Sequence, residues 1–290
     1  AGHSREGVAR DPGGLAASDL RKDQRVRDFT FHRPETLSDA LAAMRSADRG
    51  AYLAGGQHML RELKLDRAAP TDIVSLARIP ELSGILVEDS VLVLGGAVTH
   101  SEAADSALVR ESIPGLAGLV ERIGDPQVRN RATVGGSIAL NDPAGDYPAA
   151  VLGLAGVVVT DRRQIPADEF LGAGFATALE EDELVVAVRL PIPRRSAYAK
   201  FRAPAARSAL TGVMVVEGAD GVRVAVTGAG PGVFRVPEME SALERDFAPD
   251  ALAGLGVDPA SLLADLEASA EYRSQLVSVM ARRAVAACSG

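Results

Sequence analysis

The sequence predicts an α+β chain, and three observations carry that reading. A strand, helix, strand succession lies near residues 27–80, two β-rich runs past Gly84 meet at the polar turn Glu88-Asp89-Ser90, and three more strand-like runs are followed by helices. With 290 residues, 47% of them hydrophobic, the chain has enough apolar material for two or three packed units.

Residues 1–26 are polar, glycine-containing and without sustained periodicity, and read as a flexible N-terminal arm. In "FHRPETLSDALAAMRSA", Pro34 stops an extended piece, Thr36 with Asp39 resembles a capping box, and Leu37, Ala40, Leu41 and Met44 recur at helical spacing. "AYLAGGQHMLRELK" is a short strand ending at Gly55-Gly56 that resumes as a helix around Met59–Lys64, and "TDIVSL" is a second strand. These pieces make a small parallel βαβ unit over 27–80. A larger α+β unit spans 81–192. It opens with the hairpin "GILVEDSVLVLGG", continues with a helix in "HSEAADSALVRES" capped by Ser101, and holds a helix at "YPAAVLGLA" and strands at "GVVVT" and "DELVVAVRLPIP". The remainder, 193–290, supplies "AYAKFR", "ALTGVMVVE" and "GVRVAVTGAG" as an antiparallel meander, then two helices.

Composition removes several function classes. Acidic residues outnumber basic ones by 39 to 31, a formal charge of −8, which argues against a phosphate-backbone binder and so against nucleic acid. No apolar run reaches the roughly 20 residues that cross a bilayer, and "AGHSREGVARDPGG" has no apolar signal core, so no membrane insertion and a cytoplasmic setting are expected. The single cysteine, Cys288, excludes an intrachain disulfide and an internal iron–sulfur cluster, which takes about four thiolates. His3, His32, His58 and His100 are scattered without metal-ligand spacing.

Two elements stand out: "AGGQH", Ala54 to His58, and "TVGGS", Thr133 to Ser137. Each reads small or β-branched residue, Gly-Gly, polar residue. Without Cβ atoms a backbone can approach a ligand closely and turn its N–H groups to an anion, so paired phosphate loops are one explanation. A plain turn at a strand end is the other. Around the second pair, Asn130, Asn141, Asp142 and Asp146 offer groups for sugar hydroxyls or for Asx turns of their own. About 20 residues with little regular structure would be unusual there without a ligand. "GAGPGV" at 228–233 breaks the GxGxxG spacing, and neither GxxxxGK[ST] nor GxSxG occurs.

Taken together, "FxxxRPxTLxxAL", "AGGQ", "DIVxLxxIPEL", "VRNRATVGGSIAxNDPAxDYPAA", "YAKFR" followed by "PAAR", and "SAEYRxxL" resemble the FAD-binding medium subunit of molybdenum hydroxylases of the carbon monoxide dehydrogenase and xanthine dehydrogenase type. The likeness runs from about Phe29 to Ala287. It implies a p-cresol methylhydroxylase-like FAD-binding fold of two subdomains followed by a C-terminal sheet with helices. It further implies that residues 54–58 and 133–137, Val134, Gly135 and Gly136 included, wrap the FAD pyrophosphate. Asp142 and Asp146 match the family's acidic positions near the ribityl and pyrophosphate region, and Lys200 matches its lysine near the flavin ring. The implied activity is electron transfer, from an iron–sulfur subunit served by a molybdopterin subunit, through FAD, to an acceptor.

Three departures bear on that picture. Ser208 stands where an aromatic residue is frequent, Gly145 where a second alanine is usual, and His58 where serine or threonine commonly follows the glutamine. They keep open a stand-alone FAD-dependent oxidase or dehydrogenase of a small molecule. A degenerate flavin fold acting as a scaffold is the third reading, against which the intact glycine pairs argue.

Overall fold

In the computed structural model of the protein, residues 26–204 and 207–288 are described. They form three sheets, each drawn from one stretch of chain. The arm expected over 1–26 lies, Val26 excepted, outside the described residues.

The first sheet contains β1 (Thr30–His32), β2 (Gly50–Leu53) and β3 (Asp72–Ser75), ordered β1-β3-β2 and parallel throughout. Parallel neighbours need crossovers, supplied by α1 (Leu37–Ser46) and α2 (Met59–Lys64). Thr36 caps α1 by accepting from the Asp39 N–H at 3.1 Å, and Ala40 and Met44, one turn apart, pack with Val74.

The second sheet begins with β4 (Ile85–Glu88) and β5 (Val91–Gly95), an antiparallel hairpin. Its two-residue loop, Asp89-Ser90, has φ of 47° and 64°, the mirror-image turn whose twist matches that of the strands. Helices α3 (His100–Asp105), α4 (Ala107–Ser112), α5 (Pro114–Val120), α6 (Pro126–Arg129), α7 (Val134–Leu140) and α8 (Asp146–Gly153) follow. Then come β6 (Val157–Thr160), β7 (Gln164–Pro166), α9 (Ala167–Phe170) and β8 (Val185–Pro191), and the strands order as β4-β5-β8-β6-β7.

Two expectations fail in this stretch. The helix after the hairpin starts at Thr99, not Ser101: the Thr99 hydroxyl accepts from the Glu102 N–H and the Glu102 carboxylate accepts from the Thr99 N–H, a reciprocal capping box. Nor is 127–146 irregular, since it holds most of α6, all of α7 and the start of α8. Gly135 and Gly136 thus occupy the first turn of a helix and do not follow a strand. Thr133 Oγ1 accepts from the Gly136 N–H at 3.2 Å, Asn141 closes the other end at φ 45°, and Val134 and Ile138 are buried. These caps and that burial outweigh the poor helix propensity of the glycines.

The third sheet orders β9 (Arg195–Arg202), β10 (Ala209–Gly218), β11 (Gly221–Thr227) and β12 (Phe234–Arg235) as β12-β11-β10-β9, all antiparallel. α10 (Pro237–Arg245) and α11 (Ala270–Cys288) cover one face. The period of two is visible in β10. Met214 and Val216 enter the core that holds α5, α7 and α8, whereas Val213 and Val215 enter the core beneath α10 and α11. That sandwich holds the helices of the second unit against a rigid support.

Candidate functional site

The two Gly-Gly elements meet. The turn after β2 and the first turn of α7 face each other across a cleft of about 310 Å³, lined on one side by Ala54, Gly55, Gly56, Gln57 and His58 and on the other by Thr133, Gly135, Gly136 and Ser137. Close backbone packing around the two elements explains two of the glycines. A Cβ on Gly55 would stand 1.9 Å from the Arg131 carbonyl oxygen, and one on Gly135 would stand 2.7 Å from the Gly96 carbonyl oxygen. Side chains at those positions are excluded by neighbouring backbone before any ligand is considered.

The amides of the two elements differ. Among the described residues, the N–H groups of Ala54, Gly55, Gly56 and Gln57 have no hydrogen-bond acceptor. Gly56, at φ 77°, is in the left-handed region that lets successive amides turn to one side. In the second element the Val134 N–H donates to the Val98 carbonyl at 2.9 Å, that of Gly135 to Gly96 at 2.9 Å, and that of Gly136 to Thr133 Oγ1. The first loop can therefore offer amide donors to an anion. The second offers a flat wall, the Thr133 and Ser137 hydroxyls, and the positive end of a short helix.

Glu183 also borders the cleft, with its carboxylate buried behind the wall and its charge already neutralised. Arg163 grips Glu183 through Nε at 3.0 Å and through a second guanidinium nitrogen at 2.9 Å, while Thr160 Oγ1 and the Glu180 N–H donate to it at 2.7 Å each. The Arg163 contact leads in holding the Glu183 carboxyl down to about 2. An anion in the cleft would therefore face no exposed or uncompensated carboxylate from Glu183. A larger groove of about 550 Å³ lies between residues 171–173 and 231–236. Its one guanidinium, on Arg235, is engaged by Glu240 and Asp168, and it meets none of the sequence-predicted site residues.

The other expected site residues sit elsewhere, each with a partner. Val134 points into the core. Asn130 Oδ1 accepts from Ser101 Oγ at 2.6 Å. Asn141 donates to the carbonyls of Gly172 at 3.0 Å and Ala176 at 2.7 Å, fixing that loop to the end of α7. Asp142 closes an Asx turn on the Ala144 N–H at 2.9 Å. Asp146 and Lys200 form a buried pair at 2.8 Å, joined by the Tyr198 hydroxyl, so that α8 is clamped to β9. Burial pushes the Asp146 carboxyl up, against the opposing pull of Lys200 and Tyr198. The Ser208 carbonyl accepts from the Ala203 N–H at 3.0 Å, closing the turn between β9 and β10.

Residues 27–193 match the family described as the FAD binding domain in molybdopterin dehydrogenase. The chain belongs to that family. This FAD-binding protein is 32% identical over 277 residues to the carbon monoxide dehydrogenase medium chain of Hydrogenophaga pseudoflava, covering 89% of its own length and 96% of that relative. It is likewise 32% identical to the nicotine 6-hydroxylase medium subunit of Paenarthrobacter nicotinovorans, covering 88% of itself and 95% of the relative. Among solved structures, carbon monoxide dehydrogenase from Hydrogenophaga pseudoflava, in a form lacking the Mo-pyranopterin moiety of the molybdenum cofactor, superposes with a TM-score of 0.81 at 31% identity, over 91% of this chain and 98% of that one. The fold is therefore the p-cresol methylhydroxylase-like FAD-binding fold, and the protein is a flavoprotein of an oxidoreductase family.

The cleft fits that cofactor on its own chemistry. Four residues whose amides have no acceptor border a cleft whose one acidic lining residue, Glu183, has its carboxylate buried and paired, which suits a diphosphate. Sequence reasoning missed Tyr52, Leu76, Gly96, Ala139 and Glu183, which also line the cleft. Gly96 carried a signal: Gly95-Gly96 is, like Gly55-Gly56, a glycine pair at a strand end, and the Gly96 carbonyl is an acceptor that holds the first turn of α7.

Proposed function

We propose that this chain is the FAD-binding electron-transfer subunit of a molybdenum-containing dehydrogenase or hydroxylase. It takes electrons from an iron–sulfur partner chain that a molybdopterin chain supplies, and passes them through FAD to an acceptor. The observation that carries this reading is the full-length likeness to medium subunits: the chain spans 96% of the carbon monoxide dehydrogenase medium chain and 95% of the nicotine 6-hydroxylase medium subunit. With one cysteine in the whole sequence, the chain supplies no cluster of its own, which assigns the iron–sulfur step to a partner.

The residues of the cleft have distinct tasks in this reading. The amides of Ala54, Gly55, Gly56 and Gln57 hold the pyrophosphate, the α7 turn from Thr133 to Ser137 supports it from the other side, and Arg163 keeps the buried Glu183 carboxylate behind the cleft compensated. Asp146 and Lys200 act at a distance from the cleft, by fixing α8 to β9 and so holding the second unit on the third. Bound FAD supplies the redox chemistry; the protein holds it, shields it and presents an edge. The compartment we infer is the cytoplasm, in keeping with a lone free cysteine. Among the described residues no helix is long and apolar enough to cross a membrane.

The test is a count of flavin released by acid from the purified chain, followed by mixing the loaded chain with its reduced iron–sulfur partner. One FAD per chain, reduced on mixing, is expected. A colourless chain that takes up no added FAD would return the scaffold reading. A loaded chain reduced directly by a small molecule without partners would return the stand-alone enzyme.

A further inference from the structure

Two polar atoms in the core of the second unit stand alone. Among the described residues, His100 Nδ1 and the Tyr147 hydroxyl are buried without a hydrogen-bond partner, and their rings lie 4.8 Å apart at a tilt of 30°. The other ring nitrogen of His100, Nε2, lies 3.0 Å from Ser137 Oγ. His100 is 1% exposed, and burial, aided by Arg129, drives its imidazole down to about 3, so the ring is neutral and carries one proton.

The position of that proton follows from the surroundings. On Nδ1 it would be a buried N–H with no acceptor, and orphaned donors are rarer in folded proteins than under-used acceptors. On Nε2 it reaches Ser137. Nε2–H therefore donates and Ser137 Oγ accepts, which means that the serine's own O–H must point away from the imidazole. Ser137 lines the cleft, and its backbone N–H is already committed to the Thr133 carbonyl at 3.0 Å. Among the described residues its hydroxyl has no other hydrogen-bond partner.

We propose that His100 is a positioning residue that fixes the Ser137 hydroxyl as a donor into the cleft, where it meets an oxygen of the FAD pyrophosphate. This rests on the placement of FAD between the two glycine loops. In the second element the amides of the first helical turn are taken up by the protein, so its hydroxyls are the donors left to it, and that of Ser137, unlike that of Thr133, is not part of the helix cap. Tyr147 packs against the ring and holds its plane.

The test combines affinity with a direct view of the ring. FAD binding to the full chain, followed by flavin fluorescence, is compared for wild type, Ser137→Ala, His100→Phe, His100→Gln and the Ser137→Ala/His100→Phe double variant. Loss of a hydrogen bond to a charged oxygen should weaken Ser137→Ala about tenfold to a hundredfold. His100→Phe should weaken binding severalfold, the double variant should be no weaker than Ser137→Ala, and His100→Gln, which keeps an N–H at the Nε2 position, should recover most of the affinity. Nitrogen-15 shifts of the FAD-free wild-type chain should place the ring proton on Nε2. Unchanged binding in Ser137→Ala, additive losses in the double variant, or a proton on Nδ1 each overturns the proposal. The tautomer measurement needs no substitution and stands even if His100→Phe fails to fold. A wild-type chain that binds no FAD would instead overturn the assignment of the cleft, and the tautomer would still decide the His100 arrangement.

Discussion

The two glycine loops share a sequence pattern and differ in physics. In Ala54–His58 the pair lies in an open turn after a parallel strand, with four amides that meet no acceptor among the described residues. In Thr133–Ser137 the pair is the first turn of a helix whose leading amides already donate to Val98, Gly96 and Thr133. One loop offers donors and the other a wall. A Gly-Gly pair is thus a statement about close approach of backbone, and only the hydrogen-bond ledger around it says whether the approach is for a ligand or for the chain itself.

The sharpest way to break the comparison is at Gly55. A methyl there meets the Arg131 carbonyl oxygen at 1.9 Å, backbone against backbone, with nothing flexible to yield. Gly55→Ala should lower the stability of the FAD-free chain by about 5 kcal/mol or abolish folding, read by thermal denaturation. Substitution at Gly55 is therefore a test of loop-on-loop packing; a well-folded variant that merely loses FAD would show that the glycine serves the ligand instead.

The second loop leans on a neutral histidine, and the first has no counterpart. His100 is held near 3 when folded and returns to an ordinary value near 6.5 when unfolded. Between those values the unfolded chain binds more protons, so the contribution is complete above about pH 6.5 and is lost as pH falls towards 3. The loss should reach about 3 kcal/mol by pH 4. Acid titration of wild type against His100→Gln isolates it from the carboxylates, including Glu183, which titrate in both. Equal acid limbs would show that His100 is solvated and that the second loop is looser than its contacts imply.

How much of this was legible in the sequence follows the same division. The parallel strands around α1, the Asp89-Ser90 hairpin and the alternation of β10 are local patterns of period 3.6 or 2, and reading along the chain finds them. The helical state of Gly135 and Gly136 is not local: it depends on Gly96 and Val98, some 40 residues earlier, taking up the amides of α7. The same holds for Asp146 and Lys200, whose resemblance to flavin-side positions says nothing of the Tyr198 hydroxyl that closes them into a buried clamp. Asn141 reads as a candidate ligand for sugar, yet both N–H donors of its side chain are taken up by the carbonyls of Gly172 and Ala176. Polarity in a sequence marks candidates; which are free is a tertiary property.

Gly136 tests the wall directly. A Cβ there would lie 2.9 Å from Thr133 Oγ1 and 3.7 Å from the Ala54 Cβ, in the space between the loops. Alanine recovers helix propensity of up to about 1 kcal/mol relative to glycine, offsetting disturbance of the cap, so the FAD-free chain should keep its stability to within about 1 kcal/mol. FAD affinity should fall about tenfold because the added methyl narrows the cleft. Gly135→Ala, one residue away, should do the reverse, costing stability through Gly96, and the pair together distinguishes ligand space from packing.

The smallest effect belongs to His58, at the rim of the first loop. Its ring is exposed and lies 6.4 Å from that of Phe175 at 33°, and as the residue before α2 it makes no side-chain capping bond. The donors of this loop are main-chain amides, which a change of side chain leaves in place. His58→Ala should therefore change FAD affinity by less than about threefold, since exposed contacts of this kind contribute within about 0.5 kcal/mol. The same variant and the wild type should both release all their flavin on acid denaturation, measured as colour in the supernatant. Flavin retained by the precipitated wild type and released by His58→Ala would mean that the side chain is a covalent tether, and the first loop would then hold its cofactor by more than its amides.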